Sequence, residues 1–577
     1  MSTPIDSAAP TLAPSSPTIP NHETASLGND QSKDSLVKIA PYPFDNVYSD
    51  ADVVLQTADG TRFYLHKAVL RIASAFFADM FSLPQPLSPD SPVAGRAEIP
   101  TIPVTEDSET FERLLYTCYR VDRPETSSIE AHTLAHVLSA ALKYQMPIGT
   151  AMMSKSLSSR IHMTPLDVFA VAYQLNLEDM VEEAVCEFTR WQSGHKAASR
   201  GSKPTAEKPR RAHPLDEYSV GMDALPAGVY YRLLQHHAAR TLESLRSSTE
   251  AAVRRIVSRP RDTEKARGTE MAIGRLPHPF YDTAHADTVI RSSDNAVFYM
   301  NRSLLSFASP VLAKSLSVSS TTTGSGAPES APASPTFVAT HRFPEDGRTL
   351  SKLFQLSYPM PDPELTETGF ADTRLKDALS VLAAAKKYEV ARAVAFAKRA
   401  CVEAAGASPV RLYLLATQYN WDDVAKYAAM RSVYETSDAY YPEMESASAV
   451  AYRRLLVYCR KCRDVILRGG DAAQETGTPV VHSAYWSQSS WLRRPGEAKF
   501  WLAFHERLSR CVDYDSEGEP YVYMDVEAFL PSVDRAARAS SGPPHSPDVR
   551  SPSPAGCFNR QNLKEIAEGL AKVRVLV

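Results

Sequence analysis

Asp52 and His66 sit fourteen residues apart in the stretch "SDADVVLQTADGTRFYLHKAVLRIASAFFADMF". A carboxylate beside an imidazole can move a proton at neutral pH. Proton transfer alone is not a reaction centre, however. The stretch supplies no serine or cysteine nucleophile, no glycine-rich loop and no metal-ligand spacing to complete one. A histidine near an aspartate more commonly satisfies a hydrogen bond where a helix begins. Structural or interface use is therefore the expectation for His66, and no catalytic residue is assigned.

A second candidate is Cys459-x-x-Cys462, within "YRRLLVYCRKCRDVILR". A zinc site needs two further ligands, which His482, His505 or Cys511 are free to supply. Redox chemistry favours a low-pKa thiol at a helix start, whereas this pair lies inside a helical run. Packing is the expected use, with no cofactor. The basic segment "RGSKPTAEKPRRAH", with Arg210-Arg211, reads either as a nuclear-import signal or as a solvated linker. No zinc-finger array, helix-turn-helix or RNP-like motif stands behind it, so direct nucleic-acid binding is not expected. Finally, "WSQSSWLRRPGEAKFWLAFHERL" gathers Trp486, Trp491, Phe500, Trp501 and Phe504. These aromatics read as a helical cap or, alternatively, as a hot-spot surface.

The chain that must position these groups has 577 residues, 44% of them hydrophobic, and a formal net charge of -4. That length allows three to five domains of about 100–200 residues. The small net charge gives no general pull toward nucleic acid or membranes. No apolar run approaches the ~18 residues of a membrane span. Seven cysteines, odd and sparse, fit a reducing compartment. With no signal-like N-terminus, the expected location is intracellular, cytoplasmic or nuclear, and not secreted. Residues 1–40 are rich in Pro, Ser and Thr and are expected to be disordered. Similar composition marks linkers at Leu83–Arg96, Gly194–Ala212, Ser317–Pro335 and Ala539–Pro554.

The most informative feature is a repeat. At a constant spacing of 235 residues, Asp52 pairs with Asp287, Val54 with Val289, Asp59 with Asp294 and Phe63 with Phe298. Tyr64 with Tyr299, Leu70 with Leu305, and Ala73-Ser74 with Ala308-Ser309 keep the same register. After loops of different length, Glu106-Asp107 pairs with Glu345-Asp346, Tyr119 with Tyr358 and Lys143-Tyr144 with Lys387-Tyr388. Pro165 then pairs with Pro409, and "YYRLLQHHAAR" from Tyr230 with "YRRLLVYCRKC" from Tyr452. The pattern predicts an internal duplication of one domain with a helical extension.

Within the first copy, "ADVVLQT" and "RFYLH" form a hairpin about the Asp59-Gly60 turn. "KAVLRIASAFFADMF" predicts one helix with Val69, Ile72, Phe76 and Met80 on its apolar face. Phe111, Leu114, Leu115 and Cys118 mark another helix. Leu134, Val137, Leu138, Ala141 and Leu142 mark a third, and Thr164 followed by Pro165 opens a fourth.

These residues resemble the BTB/POZ domain, whose pattern is an aspartate before a strand, then F-x-x-H-[KR]-x-x-L, then small-Ser-x-x-F-x-x-M-F. Asp52, Phe63, His66, Lys67, Leu70, Ser74, Phe77, Met80 and Phe81 occupy those positions. The second copy keeps Asp287, Phe298, Leu305 and Ser309. Asn301 replaces the histidine, and Lys314-Ser315-Leu316 replaces Asp-Met-Phe. The doubled arrangement resembles double-BTB proteins of basidiomycete fungi. The resemblance implies a protein-interaction module that dimerises, and in some members binds cullin scaffolds of ubiquitin ligases or transcriptional co-repressors. Cullin-binding members carry a hydrophobic-x-Glu element beyond the Met-Phe helix. Here that place reads "SLPQPLSPDSP", without the glutamate.

The expected architecture is α+β, with two BTB/POZ-like domains, each a small sheet capped by helices and followed by an α-helical extension. The expected layout is domain 1 at 41–147, extension 1 with the basic linker at 148–258, and domain 2, degenerate, at 280–390. Extension 2 follows at 391–470, then an aromatic-rich cap with a Pro/Ser-rich loop at 471–577. The expected function is a non-enzymatic adaptor or scaffold whose copies pair as an internal pseudo-dimer or a homodimer. A cullin-ligase substrate adaptor and a transcriptional co-regulator are the alternatives.

Overall fold

The computed structural model describes residues 38–45, 50–83, 99–119, 129–192, 215, 218–242, 256–257, 280–281, 283, 286–317, 340–365, 371–435, 439–471, 497–514, 520–522, 526–539 and 560–573. Residues 1–37 of the expected disordered tail, most of the expected linkers, the basic segment, Trp486, Trp491 and His482 lie outside these residues. Residues 38–40 are ordered instead, with Ile39 bridging Arg62 and Ala40 buried. Contacts divide the chain into two compact units. The first comprises residues 1–124 and 137–152, and the second comprises 125–136 and 153–577.

The first unit is built on the hairpin of β1 (Val53–Gln56) and β2 (Arg62–Leu65), antiparallel with Val53 opposite Leu65. Gly60, at φ +83°, makes the turn, a conformation that costs little without a β-carbon. The alternating burial of β2 puts Phe63 and Leu65 inward. After β2 the chain forms α1 (Lys67–Ala73) and α2 (Ala75–Ser82). The single helix expected from Lys67 to Phe81 is thus two, broken at Ser74, whose backbone is extended. The apolar stripe also lies elsewhere than expected. Leu70 and Phe77 are buried, whereas Ile72 and Phe76 face outward.

β3 (Thr101–Pro103) returns to pair with β1 in parallel, giving the order β2-β1-β3. α3 (Ser108–Leu115) starts where Asp107 accepts from the Thr110 N–H at 2.8 Å, an N-cap. α4 (Ala131–Lys143) and α5 (Pro147–Ser158) follow. Both run from one unit into the other, and the boundary expected at 147/148 falls in the first turn of α5. The core of the first unit is aromatic. Phe63 touches Phe44 and Phe111, and Phe77 stacks on Tyr144 with ring centres 5.2 Å apart. Each fully buried ring contributes roughly 2–3 kcal/mol from the water it sheds.

The second unit opens with α6 (Pro165–Gln174), α7 (Glu178–Gln192) and α8 (Ala227–Leu242). A second three-stranded sheet follows, from β4 (Thr288–Arg291), β5 (Val297–Met300) and, after α9 (Arg302–Ala308) and α10 (Pro310–Ser317), β6 (Thr340–Arg342). Its order is β5-β4-β6, with Thr288 opposite Met300 and Val289 opposite Thr340. Every one of these register pairs matches a pair in the first sheet at the spacings read from the sequence.

α11 (Gly347–Ser357), α12 (Ala371–Lys387), α13 (Ala391–Ala405), α14 (Pro409–Gln418), α15 (Asp422–Ser432) and α16 (Ala449–Asp471) continue the parallel. The non-glycine residues at positive φ also recur in matched places: Gln145 with Glu389 and Asn176 with Asn420. The unit ends with α17 (Glu497–Leu508), an antiparallel pair of β7 (Val512–Tyr514) and β8 (Pro520–Val522), α18 (Val526–Ala539) and α19 (Arg560–Lys572). The strand pair is an addition to the helical, aromatic-rich cap expected at the C-terminal end. Phe500, Trp501 and Phe504 are buried, and Phe504 meets Phe529 edge-on at 5.3 Å. They form packing and not an exposed hot spot.

Candidate interaction surface of the first unit

The motif residues divide by what their side chains touch. Phe63, Leu70 and Phe77 are core, at most 1% exposed. Asp52 accepts from the Lys67 N–H at 2.6 Å and so anchors the first turn of α1. Ser74 is buried and bonded twice. Its Oγ accepts from the Phe77 N–H at 3.0 Å to cap α2 and donates to the Tyr144 carbonyl at 2.5 Å.

Asp52 therefore does not partner His66. The imidazole instead lies between Asp50, 3.3 Å from its Nε2, and the Tyr119 hydroxyl, 3.4 Å from its Nδ1. His66 is the residue before α1 but makes no side-chain cap bond, whereas Asn301 in the second sheet's hairpin does, accepting from the Leu304 N–H at 3.3 Å. The position matched to His66 thus carries a side chain that caps its helix. Lys67, Met80 and Phe81 are half-buried, and Phe81 stacks on Phe77 at 5.9 Å.

Two carboxylates fix the loops around this frame. Asp59 accepts from the Thr57 hydroxyl at 2.6 Å, the Ser108 hydroxyl at 2.7 Å and the Thr61 hydroxyl at 3.1 Å. Burial opposes its ionisation, but those hydrogen bonds outweigh it and bring the pKa down to about 2. Glu106 meets the Lys143 ammonium at 2.7 Å and accepts from the Tyr144 hydroxyl. Burial again opposes ionisation, and the bonds from Lys143 and Tyr144 lower the pKa nonetheless.

The feature that sequence inspection assigned wrongly is the outward apolar face. Ile72 is 90% exposed, Ile148 60%, and Phe76 and Leu142 38% each. A groove of about 760 Å³ lies here, lined by Ile72, Ala75, Leu142, Met146 and Pro147, with Arg71 and Gln145 at its polar edge. Val69, Ile72 and Phe76 were visible as a stripe. Only the break at Ser74 reveals that the stripe faces out.

The matched segment carries Asp287, Phe298, Leu305 and Ser309 in the same roles. The Arg302 N–H donates to Asp287 at 2.7 Å, Phe298 and Leu305 are fully buried, and Ser309 caps α10 through the Leu312 N–H at 3.0 Å. Its outer face differs. Phe307, 90% exposed, stands where Ile72 does, but Lys386 and Arg392 take the places of Leu142 and Ile148, and Glu389 that of Gln145. Arg392 is bonded to the carbonyls of Tyr358 and Met360 and to Asp362.

Cys459 and Cys462 are buried on α16. Burial pushes the Cys459 thiol up to about 12 and raises Cys462 as well. His505 is buried against the Tyr434 hydroxyl at 3.0 Å, and burial depresses its pKa to about 4. Among the described residues no cluster of three or more His, Cys, Asp or Glu is placed to hold a metal ion.

Residues 44–161 match the family model of the BTB/POZ domain. A BTB/POZ domain therefore occupies this part of the chain, comprising the first sheet and α1 to α5. Domains of this family are typically non-enzymatic modules of protein–protein interaction and self-association. No curated protein matches the chain. Among the described residues no helix is long and apolar enough to cross a membrane.

Proposed function

We propose that the chain is a non-enzymatic adaptor or scaffold that engages a protein partner through the apolar groove of its BTB/POZ domain. The observation that carries this reading is the exposure of Ile72 and Leu142 on one groove, with the exposed Phe76 and Ile148 next in sequence to its lining residues Ala75 and Pro147. Large apolar side chains gathered on a surface gain free energy when a partner removes them from water. Residues 280–390 are read as a second, degenerate BTB-like module arising from an internal duplication. Its like strand order and register support that reading, and Lys386 and Arg392 in place of apolar residues suit a module that does not compete for the same partner. The chain is read as an intramolecular pseudo-dimer, so light scattering on the full-length protein is expected to give a monomer. A monodisperse dimer held through the first domain would contradict this.

The groove is tested with Ile72→Glu/Ile148→Glu in the full-length chain. Partners crosslinked to the wild type are expected to fall at least tenfold, with thermal unfolding unchanged because both side chains are exposed. Unchanged recovery would remove the groove from the mechanism. A purified cullin added at micromolar concentration separates the ligase-adaptor role from the general one. Nuclear localisation that depends on Arg210-Arg211 separates the co-regulator role.

A further inference from the structure

The two helical extensions meet within the second unit, and their contacts obey a two-fold rule. A spacing of 222 residues relates α8 and the 3-10 turn before it (Val220–Asp223) to α16 and the turn Pro442–Glu445. The Ala227 N–H donates to the Ala447 carbonyl at 2.8 Å, and the Ala449 N–H donates to the Leu225 carbonyl at 2.7 Å. These two bonds exchange under the spacing. Pro226 bridges Ser448, and the Tyr230 ring meets Tyr452 edge-on at 6.5 Å, each residue facing its own counterpart. Tyr231 lies 6.2 Å from Tyr440, and Arg453 lies over Tyr218 at 5.4 Å, again an exchanged pair of positions. This is the arrangement of an isologous dimer interface, here made by one chain.

The symmetry is incomplete, and one departure is an ion pair. Arg232 forms a half-buried ion pair with Glu445, which also accepts from the Tyr440 hydroxyl at 3.0 Å. Gly228 makes room for it: a β-carbon there would lie 2.1 Å from the Glu445 carboxylate. The related positions hold Val450 for Gly228, and Asp223, one methylene shorter, for Glu445. Two copies of the second extension paired in the same geometry would place a Val450 β-carbon where the Glu445 carboxylate lies, so that the carboxylate would have to move away from its arginine partner. Two copies of the first would offer Arg232 only the shorter Asp223.

We infer that Gly228 and Glu445 make this interface heterotypic, so that the first extension takes the second extension as its partner and neither takes itself. Arg232 does not distinguish the two, since the position related to it also holds an arginine, Arg454. The inference rests on reading the chain as two similar halves, but its test does not involve the groove. A clash built against the unwanted pairing is a common source of such specificity.

A protease site inserted in the full-length chain between Ser258 and Phe280 allows the two halves to be separated after folding. Native mass spectrometry of the cut protein is expected to give one N-terminal half with one C-terminal half and no like pairs. Gly228→Val is expected to raise the dissociation constant at least tenfold. Gly228→Val/Glu445→Asp, which copies the Val450 and Asp223 combination across the axis, is expected to restore association. Circular dichroism of the uncut variants reports whether they fold. Like pairs in the wild type, undiminished association of the folded Gly228→Val protein, or failure of the double variant to recover would each overturn the inference. Unchanged partner recovery by Ile72→Glu/Ile148→Glu, with the halves still paired, would instead count against the groove.

Discussion

Asp59 was readable in the sequence only as half of an Asp-Gly turn, yet its carboxylate gathers the hydroxyls of Thr57, Thr61 and Ser108. Nothing in residue type announces that convergence, because Ser108 arrives from the far side of β3. Its folded pKa of about 2 lies below the ordinary 3.8. A depressed carboxylate pKa contributes stability that is present above the unfolded value and is lost as pH falls through the folded value. Asp59→Asn should therefore be less stable than wild type at pH 7, and the gap should close between about pH 4 and pH 2. Because Asp59 is exposed, solvent screening limits the effect to about 1 kcal/mol. Urea midpoints measured at pH 7, 4 and 2 check this, and a gap that persists below pH 2 would contradict it. His66 teaches the reverse lesson. A residue that looked chemical in the sequence proves to sit beside Asp50 and Tyr119, while its presumed partner Asp52 holds a helix start.

Ser74 decides how α1 and α2 are used. Periodicity alone merges the two into one helix, because their apolar residues keep a 3.6-residue rhythm across the join. The serine ends α1, starts α2 and bonds to the Tyr144 carbonyl, and the resulting change of direction turns Phe77 inward and leaves Ile72 and Phe76 outside. Long-range bonds of this kind are invisible to local pattern, and so the groove was missed while the hairpin, Asp107 before α3 and Pro165 opening α6 were not. Ser74→Ala leaves a buried carbonyl and a helix N–H unpaired, at a cost of roughly 1–3 kcal/mol. The fall in unfolding free energy is measurable by urea titration. Ser74→Thr, which retains the hydroxyl, should recover part of it, and equal losses in the two variants would point to packing in place of the cap.

The recurring sequence pattern made most of the architecture readable, since matched positions carry the same sheet order, register and positive-φ residues. The division into units was less readable, because α4 and α5 each contribute to both, and composition changes nowhere within them. A chain with two compact units need not unfold in one step. Phe111 is fully buried against Phe63 and Tyr144, all within the first unit, and Phe111→Ala should cost about 3–5 kcal/mol there. Hydrogen exchange read by mass spectrometry locates the loss. Protection should fall across β1 to α3 while the helices α14 to α16, packed around the buried Tyr413 and Tyr452, keep theirs. The C-terminal part of α5 should follow the second group, because its residues from Met153 belong to that unit. A uniform fall along the whole chain would mean that α4 and α5 couple the units into one cooperative structure. In that case charge placed in the groove would also be expected to disturb the extensions.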